Sequence, residues 1–147
     1  MRKEHPHYFF SEEEKQALVS AIQDAERKTS GEIRVHLARR CRKDPLEAAK
    51  KIFERLGMTR TKQKNGVLFF LSLKEHAFVI LGDGGIHEKV GEDFWQAIRD
   101  EVIARFKKEE FVEGLTAGIL KCGEKLAAYF PPLGDDVNEL PDKVSTS

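Results

Sequence analysis

The chain has 147 residues, enough for one domain with a real core and too few for two catalytic domains. Its 25 Lys and Arg balance 25 Asp and Glu, which excludes a broadly basic nucleic-acid binder held by bulk charge. Hydrophobic residues make up 40% and charged residues 34%, a mix too apolar for a disordered chain; the longest apolar run, Val67 to Leu71, falls far short of the roughly 20 residues that span a membrane.

Residues 1–10 read as a flexible arm carrying His5 and His7. No apolar stretch follows their positive charges, so no secretory signal is expected. Cys41 and Cys122 lie too far apart in sequence for a metal motif or a disulfide framework. Together these features predict a soluble, cytoplasmic protein with reduced cysteines.

Ser11 followed by Glu14 forms a capping box that starts a helix over about Glu12 to Lys28. Leu18, Ala21, Ile22 and Ala25 recur at helical spacing and form its inner stripe, and Phe10 is placed as a hydrophobic staple. Thr29-Ser30-Gly31 stops it. Ile33 to Leu37 then alternates apolar and polar residues, the pattern of a strand with one buried face and His36 on the polar side.

Asp44-Pro45-Leu46-Glu47 is a second capping box, with proline where its missing N–H costs nothing. It opens a helix that Gly57 ends. A basic connector, Arg60 to Lys64, leads to Val67–Leu73, apolar on both faces and so a central strand between helices. Lys74-Glu75 predicts a tight turn into the strand Ala77 to Leu81.

Gly82-Asp83-Gly84-Gly85 follows, a loop chosen where the backbone needs positive φ or a close approach. A third helix from about Glu88 carries Val90, Phe94, Ile98 and Val102, with Trp95 beside it; a fourth carries Phe111, Leu115, Ile119, Cys122 and Leu126 and ends at Pro131-Pro132. Residues 11–130 thus form the domain. Residues 131–147 read as an acidic, disordered tail.

A right-handed strand-helix-strand crossover makes strands one and two parallel, and the turn makes strand three antiparallel to strand two. The entries to strands one and two and the exit of strand three then gather at one end of the sheet. That geometry collects Glu32, Asn65 and Asp83, with Gly82, Gly84 and Gly85, into a set of hard oxygen donors suited to Ca²⁺ or Mg²⁺. The plainer alternative has Asp83 capping the following helix and Glu32 solvated at the strand entry.

Taken in order, Thr29-Ser30-Gly31-Glu32-Ile33, Phe53-Glu54-Arg55-Leu56-Gly57, Asn65-Gly66-Val67-Leu68, Gly82-Asp83-Gly84-Gly85-Ile86 and Phe111-Val112-Glu113-Gly114-Leu115 resemble the TPM domain family over about Ser11 to Phe130. The resemblance implies an α/β/α three-layer, Rossmann-like sandwich with a small mixed sheet. It also implies acid phosphatase activity or divalent-cation binding, calcium especially, at Glu32, Asn65 and the Asp83 loop. Many relatives place an acidic pair in the hairpin and a Gly-Tyr-Gly loop after the third strand, where this chain reads Lys74-Glu75 and Gly82-Asp83-Gly84. Membrane-attached relatives add a signal and a span, so this chain resembles a free-standing soluble branch.

No phosphatase nucleophile stands out. Cys41 is followed directly by Arg42, Cys122 sits on an apolar helix face, and Asp83 has no second aspartate two residues on. A metal-activated water is the remaining hydrolytic route, and no organic cofactor is expected. Arg39, Arg40, Arg42 and Lys43 form a basic cluster at the opposite end from Asp83, read as a solvated loop or a phosphate dock. The basic stretches lack interleaved aromatics, which argues against nucleic acid. His87 is a ligand, a general acid or an ordinary helix-entry residue. Two functions follow: a divalent-cation-binding, phosphatase-like domain, or a non-catalytic module that binds a protein partner and holds any metal structurally.

Overall fold

The computed structural model describes residues 5–133 and 144–147. Among these residues four strands, β1 (Glu32–Ala38), β2 (Gly66–Ser72), β3 (Ala77–Gly82) and β4 (Val144–Thr146), form one sheet in the order β3-β2-β1-β4. β1 pairs parallel with β2, and β2 pairs antiparallel with β3. The chain is therefore a mixed α/β fold with the crossover and hairpin that its sequence predicts. The hairpin turn is longer than two residues: Ser72 pairs with Ala77, leaving Leu73–His76 as a four-residue turn with His76 at φ 54°.

One face of the sheet carries Ile33, Val35, Leu37, Val67, Phe69 and Leu71. Against it pack α2 (Glu12–Glu26), α5 (Glu92–Phe106) and α6 (Phe111–Ala127), whose stripes of Leu18, Ile22, Ile98, Leu115, Ile119 and Cys122 are wholly buried. The other face carries Leu68 and Phe70 under α3 (Pro45–Arg55), through Ala49, Ile52 and Phe53. With helices on both faces, β1 and β2 are buried at every position. The period-two pattern of β1 thus marks two buried faces, and Arg34 and His36 are only 3% and 2% exposed.

The first capping box forms in full as the sequence implies, and the second only in its Asp44 half, since the Glu47 carboxylate pairs with Lys50 instead. Ser11 Oγ accepts from the Glu14 N–H, and the Glu14 carboxylate returns to the Ser11 N–H at 3.0 Å. Asp44 accepts from the Glu47 N–H ahead of Pro45. Gly57 takes φ 75° between α3 and a 3₁₀ turn over Met58–Arg60. The third helix begins four residues later than expected. A short turn of helix, α4 (Gly84–His87), comes first, and α5 starts after Gly91.

Both ends of the chain differ from expectation within the described residues. The arm expected to be flexible holds a helical turn, α1 (Pro6–Phe9), whose Phe9 packs edge-on against Phe10 and Phe111; Phe9 and Phe10 are buried. Residues 134–143 of the expected tail lie outside the described residues. Its last residues form a strand, β4 (Val144–Thr146), parallel to β1. The physical reason is the open edge of β1, which needs a partner for its backbone groups. Among the described residues no helix is long and apolar enough to cross a membrane.

Candidate functional site

Three loops meet at the end of the sheet where β1 and β2 begin and β3 ends. The first, Thr29-Ser30-Gly31, closes α2 and is fixed to the end of α6. Thr29 Oγ1 donates to the Phe130 carbonyl and accepts from the Gly31 N–H, while the Ser30 N–H donates to Phe130 at 2.9 Å. The second is the Gln63-Lys64-Asn65 turn, with Lys64 at φ 52°. The Glu32 N–H donates to the Asn65 carbonyl at 3.3 Å, tying the first loop to the second. The third is Asp83-Gly84-Gly85: the Asp83 N–H donates to Gly66 at 2.9 Å and the Gly85 N–H to Lys64 at 2.8 Å.

Register then fixes the side chains. Glu32 stands opposite Gly66, and the Asp83–Gly66 hydrogen bond extends the β2–β3 ladder by one residue. Glu32, Gly66 and Asp83 therefore lie in one row across the sheet. They share the α3 face, because Gly82, one residue before Asp83, faces Trp95 of α5 on the other side. Gly66 leaves a slot between the two carboxyl-bearing residues. The Met58 carbonyl oxygen and the Phe53 ring fill it, at 3.2 and 3.5 Å from where a Cβ would stand.

The two acids differ in surroundings. Glu32 is 5% exposed at the start of the strand, so the solvated alternative does not hold. Asp83 Oδ1 accepts from the Gly84 N–H at 2.7 Å and caps α4, as the plainer alternative expects. Its other oxygen, Oδ2, is buried and meets no hydrogen-bond donor among the described residues. A buried carboxylate oxygen in that state is costly unless something positive answers it.

Asn65 braces the site from the loop. Its side-chain amide donates to Ser30 Oγ at 3.3 Å, beside the Gln63 amide at 3.0 Å, and its N–H donates to Thr61 Oγ1. Gly85 is pressed onto the second loop, where a Cβ would stand 2.1 Å from the Gln63 carbonyl oxygen. Gly84 has open space around it. His87 is exposed, with its ring 6.5 Å from Trp95 and its N–H on the Asp83 carbonyl. Among the described residues no three of His, Cys, Asp and Glu come together as a metal-holding group. A cation here would rest on Asp83, Glu32 and neutral oxygens, of which the Met58 carbonyl is one that periodicity cannot reveal.

Further along the same face, His36 stacks flat on Phe70, with centroids 6.0 Å apart and planes 2° apart. Its Nδ1 lies 2.7 Å from Ser145 Oγ and its Nε2 2.8 Å from Ser147 Oγ. Burial, with the Arg34 and Arg55 charges, lowers its pKa from 6.5 to about 4, so the ring is neutral at pH 7. Cys122 is wholly buried and burial pushes its thiol up to about 12, which suits packing and excludes a nucleophile.

The fold is similar to the NMR structure of the BA42 protein from the psychrophilic bacterium Bizionia argentinensis, at 45% identity and a TM-score of 0.90, covering 95% of this chain and 96% of that one. The N-terminal domain of a P. gingivalis protein (19% identity, TM-score 0.64, covering 82% of this chain and 78% of that one) shares the fold, as does that of a Corynebacterium glutamicum protein (14%, 0.61, covering 92% and 79%). No curated protein matches the chain. The family model described as the TPM domain matches residues 6–125, and the chain belongs to the TPM domain family.

Proposed function

We propose that this domain binds a divalent cation, calcium or magnesium, at the Glu32/Asp83 end of the sheet and that the bound ion is what makes the domain phosphatase-like. The observation that carries the reading is the buried Asp83 Oδ2, left without a donor among the described residues while Oδ1 is engaged by Gly84. Glu32 stands in the same row on the same face, and the Met58 carbonyl lies over the glycine between them. Two carboxylates with neutral oxygens suit calcium, which accepts irregular oxygen sets, at affinities of roughly 10⁻⁴–10⁻³ M. A bound ion supplies charge neutralisation to a phosphate group. Glu32 and Asp83 hold it, and Asn65 and Gly85 hold the loops that carry those acids.

One observation favours a non-catalytic protein-binding module in which the ion is structural. The local hydroxyls are committed, Thr29 to the Phe130 carbonyl and Ser30 to the Asn65 and Gln63 amides. Calorimetry with Ca²⁺ and Mg²⁺ tests the shared claim: wild type binds in the submillimolar to millimolar range, and Asp83→Asn loses that binding. An absence of heat at about 10 mM ion, well above the range of such sites, contradicts the proposal, as does wild-type binding by Asp83→Asn. A phosphomonoesterase assay separates the two readings. Turnover that falls with Asp83→Asn and Glu32→Gln supports the hydrolase; ion binding without turnover supports the module.

A further inference from the structure

At the opposite end of the sheet a cleft of about 260 Å³ opens where β1 and β4 finish, at Ala38 and Ser147. Its floor is apolar, from Ala38, Phe70 and Ile52. Two walls rise from it, the loop between β1 and α3 and one face of α3 itself. The loop brings Arg40, Arg42 and Lys43; the helix brings Lys51 and Arg55, four residues apart and so on one face. Among the described residues no Asp or Glu side chain lines the cleft.

Five cations in one concavity repel one another. Of the nearby acids, Glu75 accepts from the Ser72 hydroxyl and the Cys41 N–H and Asp44 caps α3, while Glu47 pairs with Lys50 at 3.6 Å and reaches Lys51 only through its charge. Among the described residues none of the five cations has an ion-pair partner. The repulsion registers on the residues themselves. Lys43, close beside it, holds Lys51 below the usual lysine range against the opposing charge of Glu47, and the Arg55 charge helps to keep His36 neutral beneath the floor. In a chain of zero net charge, this is a concentration of one sign at one place.

We propose that this cleft is an anion-binding site for a compact ligand carrying two or more phosphate groups, such as a phosphoanhydride. Its place, outside the carboxyl end of β1 where parallel partners flank the strand on both sides, is where open α/β sheets hold ligands. Its volume lies below the roughly 300–1,000 Å³ of pockets for drug-sized molecules, so the ligand is small. One phosphate group carries about −1.5 to −2 charges, so a second is needed to approach five positive ones. Three of the five are guanidinium or ammonium groups on a short loop, and the arginine forks suit phosphate oxygens two at a time. The site is distinct from the Glu32/Asp83 end and needs no metal.

Calorimetry on the full chain, in buffer stripped of divalent ions, tests this with pyrophosphate and orthophosphate. Pyrophosphate binds one to one, at least about tenfold tighter than orthophosphate, and weakens as salt rises. The exposed pair Lys51→Gln/Arg55→Gln loses about tenfold or more, a loss of the size expected for charge-assisted contacts, with thermal unfolding confirming that it folds. Lys62→Gln, a charge control in the connector at the other end, binds like wild type. Any of three results overturns the proposal: no pyrophosphate binding at millimolar concentration, equal affinity for the two anions, or an equal loss in Lys62→Gln and the double variant.

Discussion

Gly85 and Asp83 sit two residues apart and contribute in opposite ways, one through a missing side chain and one through a carboxylate held part-buried. Alanine at position 85 would place its Cβ 2.1 Å from one backbone carbonyl oxygen and 2.6 Å from the next. Neither carbonyl belongs to a flexible side chain, so the loops must part. Gly85→Ala is expected to destabilise the domain by about 2–4 kcal/mol, the scale of backbone overpacking, whereas Gly84→Ala, facing open space, should cost far less. Thermal unfolding of the pair decides it; equal effects would contradict the close approach. Sequence alone flags this loop for positive φ or tight contact, and the structure selects tight contact, since Gly57 is the described glycine with positive φ. The row that Glu32 shares with Asp83 is equally legible, because parallel and antiparallel pairing to one central strand fix it. The carbonyl of Met58 over Gly66 is not, because it arrives from a 3₁₀ turn after α3 and no periodicity encodes it.

At the scale of elements, β4 is the part least visible in the sequence. Val144-Ser145-Thr146 is too short to carry a pattern, and its partner lies more than 100 residues earlier in the chain. What recruits it is the edge of β1: the Ser147 N–H donates to the Leu37 carbonyl, and the Arg39 N–H to the Ser147 carbonyl at 3.0 Å. His36 adds two side-chain hydrogen bonds to the same segment. Ser145 Oγ also lies 3.4 Å from the Val35 carbonyl, to which its hydroxyl donates, so Nδ1–H donates to Ser145 and Nε2 accepts from Ser147. This arrangement needs a neutral ring. A folded pKa of about 4 against 6.5 means the unfolded chain binds the extra proton first. His36 therefore supports the fold fully above about pH 6.5, and that support is lost as the pH falls toward 4. Urea unfolding from pH 7 to pH 4 should show a loss on the order of 2 kcal/mol after allowance for solvent screening, and His36→Gln should flatten that portion of the profile. A wild-type profile no steeper than that of His36→Gln would contradict the role.

At the scale of the molecule, the zero net charge is a sum of unlike ends. The central strand pair β1–β2 is covered on both faces, so its two ends are where chemistry can reach the sheet. One end gathers Glu32 and Asp83; the other gathers Arg40, Arg42, Lys43, Lys51 and Arg55. The first is legible in the sequence because its residues sit in loops adjoining the strands. The second is only half legible: the Arg39–Lys43 run is visible, but Lys51 and Arg55 join it only once α3 lies across the face of β2 and β3. Amide chemical-shift mapping on two separate samples tests this separation of charge most directly. Calcium should move the amides of residues 31–32, 65–66 and 82–85 and leave residues 38–43 and 51–55 in place; pyrophosphate should do the reverse. Shifts from both ions at one end, or spread evenly over the surface, would contradict it.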